Sequence, residues 1–160
     1  MNKPLMLLGA WLAPLLLSPQ VLALQERYAF DVSVTIPEIE AYVLPSESDW
    51  MGREQTLAWD LVKSRLSPLR KDFDVKNLNG GVAARLGDTP YLLSGADRID
   101  LQVLFNKVPL NLSSTEVINA NEARIGRRAE LDIAAIEPEG GYKGGDYYGT
   151  VHIVFDFLAP

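Results

Sequence analysis

His152 is the only histidine in a chain of 160 residues that contains no cysteine. The soft-ligand sets that hold zinc, copper or iron–sulfur clusters are therefore missing, and although carboxylates alone would suit calcium, no spacing here supports it. His152 falls on the polar side of an alternating segment, where a solvated imidazole is the ordinary reading and a general base the rare one. No serine stands in a Gly-x-Ser-x-Gly context. Residues 140–145, Gly-Gly-Tyr-Lys-Gly-Gly, contain glycines and a lysine but lack the spacing and the Ser/Thr of a phosphate loop. They also precede a strand rather than a helix, so they read as a flexible loop. Arg124, Arg127 and Arg128 read as a solvated turn, and Asn111-Leu112-Ser113 matches a glycosylation acceptor only formally. No enzyme, metal or cofactor is expected.

Burial is the chemistry that remains. Residues 28–36 read Tyr-Ala-Phe-Asp-Val-Ser-Val-Thr-Ile, alternating apolar and polar and closed by Pro37. Tyr28, Phe30, Val32, Val34 and Ile36 form one apolar face, so this is a strand that must be buried against something. It follows a secretory signal: Lys3 gives the positive n-region, residues 5–17 the apolar core, and Val21-Leu22-Ala23 the cleavage site, which places the mature start at Leu24. Pro4, Gly9 and Pro14 interrupt the apolar run, which is shorter than the roughly 20 residues a spanning helix needs. Residues 24–160 are enough for one domain with its own core. The net charge of −6, one unit more negative once Lys3 is removed, excludes a basic field for nucleic acid or an anionic membrane. Without cysteines, stability must come from burial and sheet hydrogen bonds.

The positioning elements are short strands between turn residues. They are expected at residues 39–44, 57–62 (strand or irregular), 73–75, 82–86, 99–105, 108–110 and 129–136, with Leu131 and Ile133 inward. Residues 77–81, Asn-Leu-Asn-Gly-Gly, look like a hairpin turn between the third and fourth. Residues 114–123 invite a helix capped by Ser113 or Ser114, with Glu116 in its first turn. The last strand is expected over residues 147–158, with Tyr147, Gly149, Val151, Ile153, Phe155 and Phe157 on one face. No long helical period separates these strands, which argues for an all-β sandwich.

Several segments together resemble one family. They are the alternating strand closed by Pro37, Leu57-Ala58-Trp59, residues 82–86 running into Gly87-Asp88-Thr89-Pro90, and Gly145-Asp146-Tyr147-Tyr148-Gly149-Thr150-Val151 followed by Val154-Phe155. The chain resembles fimbrial major subunits of the colonisation-factor type, the coli surface antigen one family of the alternate chaperone/usher pathway. The resemblance implies an immunoglobulin-like sandwich of six or seven strands that lacks one, completed by a donor strand from a neighbouring subunit. Residues 1–23 would be the removed signal, 24–36 the donor extension carrying Tyr28, Phe30, Val32, Val34 and Ile36, and 37–160 the pilin domain. Val151, Ile153, Phe155 and Phe157 would form the C-terminal strand that a chaperone clamps. The implied partners are further copies of the chain, a periplasmic chaperone, an outer-membrane usher and a tip adhesin. The implied destination is a cell-surface fimbria.

The size of the effect makes such an exchange plausible. Burying five such side chains at ~1.5–3 kcal/mol each gives roughly 7 to 15 kcal/mol before ordering costs, and a whole domain is stable by only about 5 to 15 kcal/mol. Two other readings stay open. Residues 28–36 are also what the first strand of a closed sandwich would look like, and a monomeric exported binding module would use Trp50, Trp59, Tyr91 and Tyr142 as stacking faces for carbohydrate or receptor.

Overall fold

The computed structural model describes residues 29, 31–34 and 39–159. The signal segment and Tyr28, Phe30 and Ile36 lie outside the described residues. In chain order the elements are β1 (Ala41–Pro45), β2 (Trp59–Asp60), β3 (Arg65–Leu66), β4 (Leu69–Asn77), β5 (Val82–Leu86), β6 (Tyr91–Ser94) and β7 (Asp97–Phe105). There follow β8 (Val108–Pro109), β9 (Thr115–Ile118), α1 (Ala120–Ile125), β10 (Arg127–Ala135) and β11 (Ile153–Phe157).

Residues 39–159 build two main antiparallel sheets and a separate two-stranded antiparallel ribbon, β2-β3. The larger runs β1-β4-β10-β7-β6, with β8 added to β7, and the smaller runs β11-β5-β9. The period-2 pattern decides which faces meet. Along β7, Ile99, Leu101, Val103 and Phe105 are buried while Arg98, Asp100 and Gln102 are exposed. Phe73 and Val75 of β4 and Leu131 of β10 join them, opposite Val82, Ala84 and Leu86 of β5 and Val117 and Ile118 of β9. The charge-rich stretch of β4 forms the solvent face, where Arg70 donates to Asp132 at 2.8 Å and Arg128 to Asp74 at 2.9 Å. Arg127 pairs with Glu122 and Arg124 donates to Asn121 Oδ1 at 3.4 Å, so the arginine cluster is engaged in surface pairs. The β7–β8 hairpin turns on Asn106 and Lys107, both at positive φ, as a two-residue turn matched to strand twist requires.

Among the described residues there are more strands than the expected six or seven, and β2, β3 and β8 are two-residue pieces. Other expectations are corrected too. Residues 77–81 do not close a hairpin: both edges of β4 are taken, by β1 and β10, so the chain crosses to the other sheet before pairing again. Residues 114–123 are not one helix, since β-branched Thr115, Val117 and Ile118 form β9 and Val117 and Ile118 are buried. The helix begins only after Asn119, whose side chain accepts from Glu122 N. The long final strand is broken. Tyr148 bridges Leu93 on the larger sheet, and only 153–157 pair with β5 in the smaller one. At the crossing, a Cβ on Gly149 would strike the Tyr91 carbonyl.

Ala29 and residues 31–34 take neither helix nor strand. The side chains of Val32 and Val34 are 91% and 81% exposed. A strand without a ladder partner has nothing to hold it extended, which accounts for the absence of the expected strand at these described positions.

Candidate functional site

The site is an apolar groove of about 1020 Å³, at the top of the roughly 300–1,000 Å³ range of small-molecule pockets. Its floor is the inner face of the larger sheet, with Phe73, Leu101, Leu131 and Ile133. One wall is Val151, Ile153 and Phe155, and the other runs from Trp50 through Leu57 to Trp59. Phe155 sits edge-on to Phe105 with ring centroids 4.9 Å apart and reaches Phe73 at 6.3 Å. Trp50 stacks edge-on to Phe73 at 5.8 Å, and the Lys71 ammonium lies 5.3 Å from the Trp50 ring centroid. Gln55 Nε2 donates to the carbonyls of Trp50, Arg53 and Glu54 at 3.2–3.3 Å, which ties that wall together. Trp59 meets Tyr142 edge-on at 5.4 Å, and burial raises the Tyr142 phenol above its ordinary value, keeping it neutral.

Strand β11 supplies the polar half of the site. It is an edge of the smaller sheet, bonded to β5 on one side. Gly87 N donates to His152 O at 2.9 Å, and Leu158 N donates to Gly81 O at 3.0 Å. Backbone groups alternate sides along an antiparallel strand, so the even-numbered residues turn theirs to β5. Ile153, Phe155 and Phe157 therefore turn their N–H and C=O groups to the edge that has no neighbouring strand among the described residues. Ile153 and Phe155 pack their side chains against the core from that register, while Phe157 is half exposed. An unpaired edge beside an apolar groove is what strand addition requires: the ladder supplies affinity and alternate side chains fill the groove.

Of the residues singled out from the sequence, Val151, Ile153 and Phe155 meet in this wall, with Phe157 at its outer end. Trp50, Trp59 and Tyr142 line the same groove. Tyr91 does not; it stands on β6 with the Arg98 guanidinium 4.1 Å from its ring centroid, so the four aromatics make no common stacking face. His152 Nδ1 lies 3.2 Å from Asp88 Oδ2, both side chains more than half exposed. Among the described residues no group of three His, Cys, Asp or Glu is placed to hold a metal, and no helix is long and apolar enough to cross a membrane. Leu131 and Ile133 are inward as expected and Trp50 and Trp59 were singled out, but that they meet Phe73, Leu101 and Leu57 in one groove escapes sequence reasoning, because these segments lie far apart in the chain.

Fold and site together define an immunoglobulin-like β-sandwich of the pilin kind with an open, largely apolar groove. The model of the CS1-type fimbrial major subunits matches residues 26–156, and the chain belongs to that family. It is a structural subunit of a cell-surface pilus, built by self-association. The structure of the CooA pilin subunit from enterotoxigenic Escherichia coli is similar in fold, with a TM-score of 0.61 and 19% identity over 74% of this chain and 87% of that one. No curated protein sequence matches the chain significantly.

Proposed function

We propose that the groove beside β11 receives the N-terminal segment of the next subunit, residues 24–36, and that the fibre grows by repeating this donor-strand exchange. Tyr28, Phe30, Val32, Val34 and Ile36 would enter the groove, and their backbone would pair with the free edge at Ile153, Phe155 and Phe157. The observation that carries this reading is the coincidence of the unpaired β11 edge with the apolar groove. The exposure of Val32 and Val34 supports it, since both are available to a partner. Before assembly, the same edge from Val151 to Phe157 would be covered by a strand lent by a periplasmic chaperone, with exchange at an outer-membrane usher and a tip adhesin at the end of the fibre. Residues 1–23 would be removed during export, leaving residues 37–160 as the pilin domain, with no catalytic role.

Relocating the strand tests the reading. Residues 24–36 are deleted from the N-terminus and appended after Pro160 through a short flexible linker, which places them at high effective concentration beside the groove. The expected product is a soluble monomer that melts cooperatively at a temperature well above that of the simple deletion. Equal stability of the deleted and relocated forms overturns the reading.

A further inference from the structure

Asn77 is the one buried polar residue of the core among the described residues, 2% exposed. It occupies a position where the alternation of β4, Phe73 then Val75, calls for an apolar side chain. A buried carboxamide is costly unless its hydrogen bonds are satisfied, and here they are. Nδ2 donates to Gly81 O at 2.8 Å and to Leu158 O at 3.1 Å, and Oδ1 accepts from Asn79 N at 3.1 Å. The two carbonyls it holds belong to different segments: Gly81 leads into β5, and Leu158 follows β11. Leu158 N donates to the same Gly81 carbonyl. Gly80 closes the socket from the other side, since a Cβ there would run into the Leu158 carbonyl.

We propose that Asn77 is a positioning residue for assembly, a latch that seats the end of β11 so that its outer edge is held ready for an incoming strand. The role rests on the donor-strand reading above. Among the described residues β11 has a neighbouring strand on one side only, and the ends of such strands open at little cost. Asn77 supplies hydrogen bonds at that end which the ladder to β5 does not. Affinity for the incoming strand falls in proportion to the fraction of molecules with β11 seated, so the latch acts on assembly without touching the donor.

The test uses the full chain, amide hydrogen exchange, and a fluorescent synthetic peptide of residues 24–36. In the unsubstituted chain the peptide should bind and slow exchange at Ile153, Phe155 and Phe157, whose amides face the free edge. Asn77→Asp keeps the side-chain shape but removes both donors and sets a carboxylate against two carbonyls. Gly80→Ala disturbs the same socket while leaving Asn77 intact. Each should speed exchange of the Val154, Asp156 and Leu158 amides roughly tenfold or more, leave β7 and β10 protected, and weaken peptide binding about tenfold. Unchanged exchange in β11 for both variants overturns the latch. Faster exchange with peptide affinity unchanged overturns its role in assembly and leaves a merely structural asparagine. If the unsubstituted chain neither binds the peptide nor gains protection at the edge, the donor-strand reading falls, and this role for Asn77 falls with it.

Discussion

Phe155→Ala separates a groove that must be filled from one that is merely open. In the subunit alone Phe155 is half buried, with Phe105 and Phe73 on one side and the groove on the other. Truncating a fully buried phenylalanine costs about 3–5 kcal/mol. Here the ring is partly solvated and its removal widens an open groove without sealing a void, so the expected loss is about half, ~1.5–2.5 kcal/mol. Once a donor strand lies over it, Phe155 becomes an interior residue and the same truncation should cost the full amount. The difference, ~1.5–2.5 kcal/mol, should appear as roughly 10- to 60-fold weaker binding of the peptide 24–36. Urea denaturation of both proteins, with and without saturating peptide, measures the two losses side by side. An identical loss in the two conditions would refute the reasoning, because Phe155 would then gain no burial from the peptide.

The donor side is tested by Val32→Asp and Val34→Asp. Both positions are exposed in the subunit, so its melting temperature should hold, while an unpaired carboxylate in the groove should abolish fibres seen by negative-stain microscopy; wild-type fibres from either variant would contradict the assignment. Acid behaviour follows from Asp74, whose carboxyl is held below its ordinary value by the Arg128 guanidinium. A depressed folded pKa stabilises above the unfolded value near ~3.9 and ceases to do so as the pH falls through the lower folded value. Asp74→Asn should therefore lower the melting temperature slightly at neutral pH, and the gap should shrink in melts recorded as the pH falls through the lowered folded pKa.

Alternation made much of the larger sheet legible. β7 follows its sequence pattern residue by residue, and Leu131 and Ile133 of β10 face inward as their spacing requires. Pairing was not legible. Asn77 and the two glycines after it carry turn chemistry, but the turn leads between sheets, because both edges of β4 are occupied by strands that come from elsewhere in the sequence. The terminal segment 147–158 alternates as if it were one strand, yet local pattern cannot report that Tyr148 and Phe155 belong to different sheets. The aromatic and aliphatic residues of the C-terminal wall were visible as an apolar face. The floor and the opposite wall became a groove only through tertiary contact.

The order of pairing fixes when the acceptor edge comes into being. All strands of the larger sheet lie between residues 41 and 135, whereas β11 closes the smaller one by facing residues 82–86 from positions 153–157. Pairings so distant in sequence form late, and this one awaits the synthesis of residues 153–157. A chain that stops short of Ile153 holds the whole larger sheet and the N-terminal segment but no edge to offer. If the fibre grows by the donor-strand exchange proposed above, such a fragment would dock into the subunit ahead of it and accept nothing behind, a terminator made from the same gene product.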